Sequence, residues 1–155
     1  MTFRIAGLDP TQFRQLFGLS DSALAALGAE RHVVTEKPGA PCRVTLADAE
    51  LGETVLLLSY RHQGAETPYR QAGPIFVRER ADAAFDAIDL IPPALFVRTL
   101  SVRAYNARGA MLDADLVEGA DLPDLIGRFW DNPDVAYAHA HNARRGCFAA
   151  AIYRA

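Results

Sequence analysis

The chain contains 155 residues, half of them hydrophobic, and carries a formal net charge of −3 with a sequence pI of about 5.8. This size and composition suit one domain that folds without a disulfide or a metal. The acidic balance argues against a general nucleic-acid binder, because such proteins usually have a basic surface and a pI above about 9. Fifteen arginines accompany one lysine. That bias resembles translation from GC-rich DNA, so arginine abundance alone says little about function.

Compartment and redox state are predicted from the cysteines and from the apolar runs. Cys42 and Cys147 accompany no secretory signal, so both are expected to be reduced thiols. The longest apolar run, Val55–Leu58, is far shorter than the roughly 20 residues of a membrane helix. We therefore expect a cytoplasmic protein with no membrane or nucleic-acid partner, and the sequence leaves the oligomeric state open.

The N-terminal part is predicted to contain a strand followed by two helices. Phe3 to Ile5 has strand propensity. Asp9 and Pro10 are typical of an N-cap and first helical position, and apolar residues at helical spacing follow them. A second helix is predicted between the N-cap Ser20 and Gly28, which can end a helix in the left-handed conformation.

The middle of the chain is dominated by β-strand patterns. Strands are predicted at Arg31–Thr35, Cys42–Leu46, Thr54–His62 and Pro74–Arg78, since these segments alternate or are continuously apolar between turn-rich stretches. Apolar residues from Ala81 to Ile88 follow helical spacing and indicate a further helix.

The C-terminal part is predicted to combine hairpins with the clearest helix of the chain. Two prolines start a helical turn at Pro92–Val97, and a hairpin joins Leu100–Tyr105 to Met111–Val117. An apolar face predicts a helix over Leu122–Trp130. The whole pattern predicts a single α+β domain with a mostly antiparallel sheet and three or four short helices.

A final hairpin brings two of the four histidines near a cysteine. Tyr137, His139 and His141 share one face of the predicted strand. If Asn142–Gly146 is a five-residue loop, Cys147 starts the next strand opposite His141. The thiol and the imidazoles would then lie on one face.

Four segments of the chain are recognisable together, namely Lys37–Val44, Thr67–Arg70, Gly73–Glu79 and Ala140–Phe148. In sequence and order they resemble a bacterial domain-of-unknown-function family, DUF1203, and the resemblance runs along the chain. It implies a single-domain bacterial protein with no established activity, ligand or catalytic residue, so functional hypotheses depend on the residues themselves.

The first hypothesis assigns catalysis to the final hairpin. Cys147 would be a nucleophile, with His141 and His139 as candidate general bases and Asn142 orienting a ring. The structural alternative is that both histidines are hydrogen-bonded strand residues and that Cys147 is a small core residue.

A second hypothesis makes the same hairpin a metal site. His139 and His141 can chelate zinc because both rings share a face, and Cys147 can add a third ligand. The sequence does not place a fourth ligand, for which the candidates are Cys42, His62, Asp113 and Asp115.

A third line of reasoning concerns anion binding by guanidinium groups. Arginine forks recognise carboxylate or phosphate, and the candidates near the hairpin or on a preorganised loop are Arg43, Tyr69, Arg70, Asn142 and Arg144. Our leading hypothesis is a pocket around the hairpin that binds a small anionic molecule, with thiol-assisted or imidazole-assisted turnover as an extension. The alternatives are a metalloprotein and a non-catalytic interaction module.

Overall fold

A computed structural model describes residues 2–155, which form two β-sheets and several short helices. The strands are β1 (Phe3–Ala6), β2 (Glu30–Val33), β3 (Thr54–Gln63), β4 (Gln71–Arg78), β5 (Asp86–Ile88), β6 (Thr99–Tyr105), β7 (Met111–Glu118), β8 (Tyr137–Asn142) and β9 (Phe148–Arg154). The helices are α1 (Asp21–Ala26), α2 (Pro93–Phe96) and α3 (Leu122–Trp130), with 3-10 turns at Pro10–Gln12, Arg14–Leu16 and Gly119–Asp121. The predicted α+β class with mostly antiparallel sheet is confirmed.

The larger sheet contains the first and last strands of the chain as neighbours. Its order is β5-β1-β9-β8-β6-β7, and the smaller sheet has the order β2-β3-β4. Neighbouring strands are antiparallel throughout both sheets. Within residues 2–155, no helix has the length and apolar character needed to cross a bilayer.

The main core lies on one face of the larger sheet. Val102 of β6, Ala138 and Ala140 of β8, and Ile152 of β9 are fully buried there and pack with the apolar face of α3. Small alanines on the central strand let the helix approach closely, and the two-residue period of β8 sends the intervening side chains to the other face.

The other face of the larger sheet meets the smaller sheet through aromatic and imidazole rings. His62 of β3 stacks on Phe148 of β9, with ring centroids 5.3 Å apart and an interplanar angle of 7°. Tyr60, two residues earlier on β3, lies 6.2 Å from the same Phe148 ring. His62 also contacts His139 of β8 edge to face, with ring centroids 6.1 Å apart, so the predicted histidine face of β8 is part of an interface between sheets.

Three predicted elements differ from the structure. The helix predicted after Asp9 is only a pair of 3-10 turns. The predicted helix over Ala81–Ile88 is wrong, because its end forms β5 and pairs with β1. The predicted strand Cys42–Leu46 is also wrong. There the Leu46 amide donates to the Cys42 carbonyl and Leu46 has a φ of +52°, which turns the chain back on itself.

Candidate functional site

The register of the final hairpin differs from the predicted one by one residue. His141 lies opposite Phe148, and the Asn142 amide donates to the Cys147 carbonyl at 2.9 Å, which leaves Ala143–Gly146 as the loop. A β-bulge between Ala140 and His141 changes the register by one further residue along the rest of the hairpin. Since successive side chains alternate faces, Cys147 shares a face with Asn142. The predicted pairing of Cys147 with His141 is therefore wrong.

The Cys147 sulfur accepts hydrogen bonds from two nitrogen donors. Arg43 Nη2 donates to Sγ at 3.1 Å, and Asn142 Nδ2 donates at 3.6 Å. Neither donor is an imidazole. The side chain of Cys147 is partly exposed, so its sulfur lies between a buried cation and solvent.

Arg43 is a buried cation whose hydrogen-bond acceptors include no carboxylate. Arg43 is 2% exposed. Its Nε donates to the Phe148 carbonyl at 2.7 Å, and its Nη1 donates to the Pro41 carbonyl. Burial lowers the pKa of the Arg43 guanidinium, and the Cys147 sulfur opposes that change. An arginine nevertheless stays protonated in proteins, so this position holds a permanent positive charge.

Arg43, Asn142 and Cys147 lie at one cavity of about 410 Å³, which we call the Cys147 pocket. This volume is within the range of small-molecule sites. Its other polar or charged lining residues are Glu36, Arg98, Thr99, Glu118, Arg144 and Arg145. Its remaining lining is formed by Pro38, Gly39, Pro41, Phe76, Val97 and Ala143.

The charge balance of the Cys147 pocket is positive. Across residues 2–155, the ion pairs of the structure leave Arg43, Arg144 and Arg145 without a carboxylate partner. Arg98 is neutralised by a bidentate pair with Asp48 at 2.7 and 2.8 Å. Two lining carboxylates, Glu36 and Glu118, also lack an ion pair in that part of the chain, and Glu118 accepts the Thr99 hydroxyl. Three unpaired arginines therefore face two unpaired carboxylates. The pocket thus combines spare guanidinium donors with an apolar wall.

The predicted catalytic histidines lie on the opposite face of the hairpin from the Cys147 pocket. Burial, reinforced by nearby positive groups, lowers the pKa of His139 to about 3 and that of His141 to about 4, so both rings are neutral at pH 7. His141 Nδ1 donates to the Gly146 carbonyl at 3.0 Å, and Arg103 Nη1 lies 3.4 Å from Nε2. Burial also lowers the pKa of His62, whose ring centroid is 4.9 Å from that of His141.

The metal hypothesis finds no support in these groups. Nowhere in residues 2–155 do three histidine, cysteine, aspartate or glutamate side chains converge as metal ligands would. Asp113 and Asp115 are instead exposed on β7, where their carboxylates accept the amides of Ala114 and Leu116 at 2.8 Å. Asp115 also pairs with Arg128.

Tyr69 and Arg70 lie away from the Cys147 pocket. Arg70 approaches Glu66 at 3.9 Å, and the exposed Tyr69 ring contacts Tyr105 at the far end of β6. The structure therefore brings together Arg43, Asn142, Arg144 and Cys147, and it separates them from the Tyr69 loop.

Comparison with known proteins places the chain in a family. A family model described as a protein of unknown function (DUF1203) matches residues 39–154. The chain belongs to that family. No curated protein and no solved structure matches this DUF1203 chain. The matched segment contains Arg43, Arg98, Asn142 and Cys147, whereas Glu36 of the pocket lies before it.

Arg98 is a pocket arginine that the sequence did not predict. Arg98 follows α2 and reaches the pocket because it pairs with Asp48, fifty residues earlier in the chain. No local pattern signals such a pair.

Proposed function

We propose that this protein binds a small organic anion in the Cys147 pocket. The observation that carries the proposal is Arg43, a buried guanidinium that lines the cavity and has no carboxylate partner within the described chain. A buried charge without a counter-ion is costly, so a bound anion would lower the free energy of this site.

The rim of the pocket supports the same ligand class. Arg144 and Arg145 are exposed on the hairpin loop without ion pairs, and each offers a planar fork that suits a carboxylate or phosphate. Asn142, which is 9% exposed, adds an amide that can donate or accept. Phe76 and Val97 supply an apolar wall for a ligand body. The matching ligand is an organic molecule with one or two acidic groups.

A thermal-shift screen of phosphates and small mono- and dicarboxylates tests the proposal. A ligand present at a hundred times its Kd stabilises the folded state by about 2.7 kcal/mol, which gives a clear rise in Tm. The double variant Arg144→Gln, Arg145→Gln should lose most of that rise, because it removes two unpaired donors from the rim and leaves the core untouched.

A matched control removes the same charge elsewhere. Arg61 and Arg108 are exposed, form no ion pair within residues 2–155 and do not line the pocket. The variant Arg61→Gln, Arg108→Gln should respond to the anion as the parent does. The proposal fails if no anion stabilises the parent, or if both double variants keep the full shift.

A further inference from the structure

We infer that Cys147 exchanges with the disulfide of a small organic anion and forms a mixed disulfide inside the Cys147 pocket. This inference rests on the proposed function, because the anion site would bind the disulfide substrate. It adds a covalent reaction and a substrate class to that site.

The first support is the hydrogen bonding of the sulfur. Sγ receives N–H donors from Arg43 at 3.1 Å and from Asn142 at 3.6 Å. These contacts fix the position of Sγ, the atom that would attack, and the thiolate is the nucleophile in disulfide exchange.

The second support is access, which separates the two cysteines. Cys147 is partly exposed and lines the cavity. Cys42 is 0% exposed, and its sulfur accepts the backbone amides of Thr45 and Arg78 at 3.5 and 3.3 Å. Reaction is therefore expected at Cys147 and not at Cys42, which serves as an internal control.

The third support is the charge around the sulfur, which selects the substrate. Arg144 and Arg145 have no carboxylate partner in the described chain, and they lie on the rim of the same cavity. They would bind a carboxylate of the disulfide and raise its local concentration near Sγ. A cationic disulfide of similar size would be repelled by the same groups.

The reaction balances without any other oxidant. The Cys147 thiolate attacks one sulfur of R–S–S–R, a new bond forms between Sγ and that sulfur, and the original S–S bond breaks. The second half of the molecule leaves as R–S⁻ and takes a proton from water. Cys147 is oxidised to the mixed disulfide, and the leaving half is reduced to a thiol.

The test compares three probe disulfides by intact-protein mass spectrometry. Oxidised glutathione is anionic, bis(2-hydroxyethyl) disulfide is neutral, and cystamine is cationic at pH 7. Each rate is divided by the rate of the same probe with a free model thiol at the same pH. Peptide mapping of the parent protein after reaction shows which cysteine carries the adduct. This result does not require a cysteine variant to fold.

The expected order of the normalised rates is anionic, then neutral, then cationic, with about tenfold between the extremes at low salt. That difference should shrink as ionic strength rises from 0.01 M to 1 M, because the screening length falls from about 30 Å to about 3 Å. Arg144→Gln with Arg145→Gln should remove the preference for the anionic probe, and Arg61→Gln with Arg108→Gln should keep it.

The inference is overturned if Cys147 shows no preference for the anionic probe, or if the adduct forms on Cys42. If anions raise the Tm of a Cys147→Ser variant while the parent shows no disulfide exchange, the binding function is retained and the covalent step is removed. If no anion raises the Tm but exchange at Cys147 still prefers the anionic probe, the reaction is retained. The substrate would then contact residues outside the proposed anion site.

Discussion

Arg43 is the single residue on which the pocket depends most. Its guanidinium joins the Phe148 carbonyl, the Pro41 carbonyl and the Cys147 sulfur. Two of these acceptors belong to the adjacent residues Cys147 and Phe148 and the third belongs to Pro41, so one side chain joins two distant segments of the chain beside the cavity. These polar contacts reduce the cost of burying the Arg43 charge, but none of the acceptors is a carboxylate.

Replacement of Arg43 should cost stability as well as ligand binding. Arg43→Met leaves two buried carbonyls without donors, at about 1–3 kcal/mol each. We expect the free energy of unfolding to fall by about 3 kcal/mol, measured by urea denaturation. Arg61→Met, at an exposed position, should change it by less than about 0.5 kcal/mol. Equal effects of the two variants would show that the buried contacts of Arg43 contribute little.

His139 is a second residue whose burial has a measurable cost. The residue is 6% exposed, and its Nδ1 has no hydrogen-bond partner in the structure. The ring lies 5.2 Å from Phe148 and 5.2 Å from Tyr105 between centroids. A neutral imidazole fits among these rings, whereas an imidazolium would be desolvated there.

The protein should therefore lose stability on mild acidification. Folded pKa values of about 3 for His139 and about 4 for His141 lie below the unfolded value of about 6.5, so the unfolded state binds more protons in that window. The free energy of unfolding should fall as pH decreases from about 6.5 to 4, by at most about 1.4 kcal/mol per pH unit for each histidine.

The variant His139→Phe isolates one part of that slope. It keeps an aromatic ring at the site and removes the proton acceptor, so the slope between pH 6.5 and 4 should decrease by up to half. Urea denaturation at several pH values gives the slope for both proteins. An unchanged slope would mean that protonation of His139 does not drive the acid sensitivity.

At the scale of elements, strong local patterns gave correct predictions and weak ones did not. The apolar face of α3 and the turn between β6 and β7 are unambiguous in sequence, and both elements form as expected. The Cys42–Leu46 segment alternates like a strand, yet the buried bonds of Arg43 hold it in a turn. Such tertiary contacts override a five-residue pattern.

The hairpin between β8 and β9 shows why the site was only partly predictable. Alternation in β8 correctly sends Ala138 and Ala140 to the core. In β9, however, Ala149–Ala151 is a run of three alanines with no polar residue to mark a face, so neither the bulge nor the register is encoded locally. The one-residue difference beside the loop, where His141 lies opposite Phe148, is what moves Cys147 from the imidazoles to Arg43.

At the scale of the molecule, the segment around Arg43 connects the two sheets. The Arg43 amide donates to the Phe76 carbonyl of the smaller sheet, and the Arg43 side chain donates to the Phe148 carbonyl of the larger sheet. The Arg43 carbonyl accepts the amide of Leu8, which follows β1. Arg43 and Phe76 both line the pocket, so its shape depends on how the two sheets pack.

Gly7 makes that close approach possible. A Cβ at Gly7 would lie 2.0 Å from the Val44 carbonyl oxygen, a backbone atom that cannot rotate away. Gly7→Ala should lower the free energy of unfolding by about 3 kcal/mol and weaken anion binding in the Cys147 pocket. Denaturation and the thermal-shift assay measure the two effects.

Gly127 of α3 provides the control for that substitution. A Cβ there meets no atom within 4 Å, so Gly127→Ala should stabilise the protein by about 1 kcal/mol through helix propensity. If Gly127→Ala lowers the free energy of unfolding, or if Gly7→Ala leaves it unchanged, close packing at Gly7 does not have the proposed role.

The outer edge of β7 has a consequence for how the protein behaves at high concentration. β7 ends the larger sheet, and Leu112 and Leu116 are 42% and 65% exposed on it, so this strand would ordinarily attract another chain. The Ala114 and Leu116 amides point outward but already bind the carboxylates of Asp113 and Asp115. An incoming strand would have to displace two charged acceptors before it could pair, so these aspartates should disfavour edge-to-edge association along the sheet.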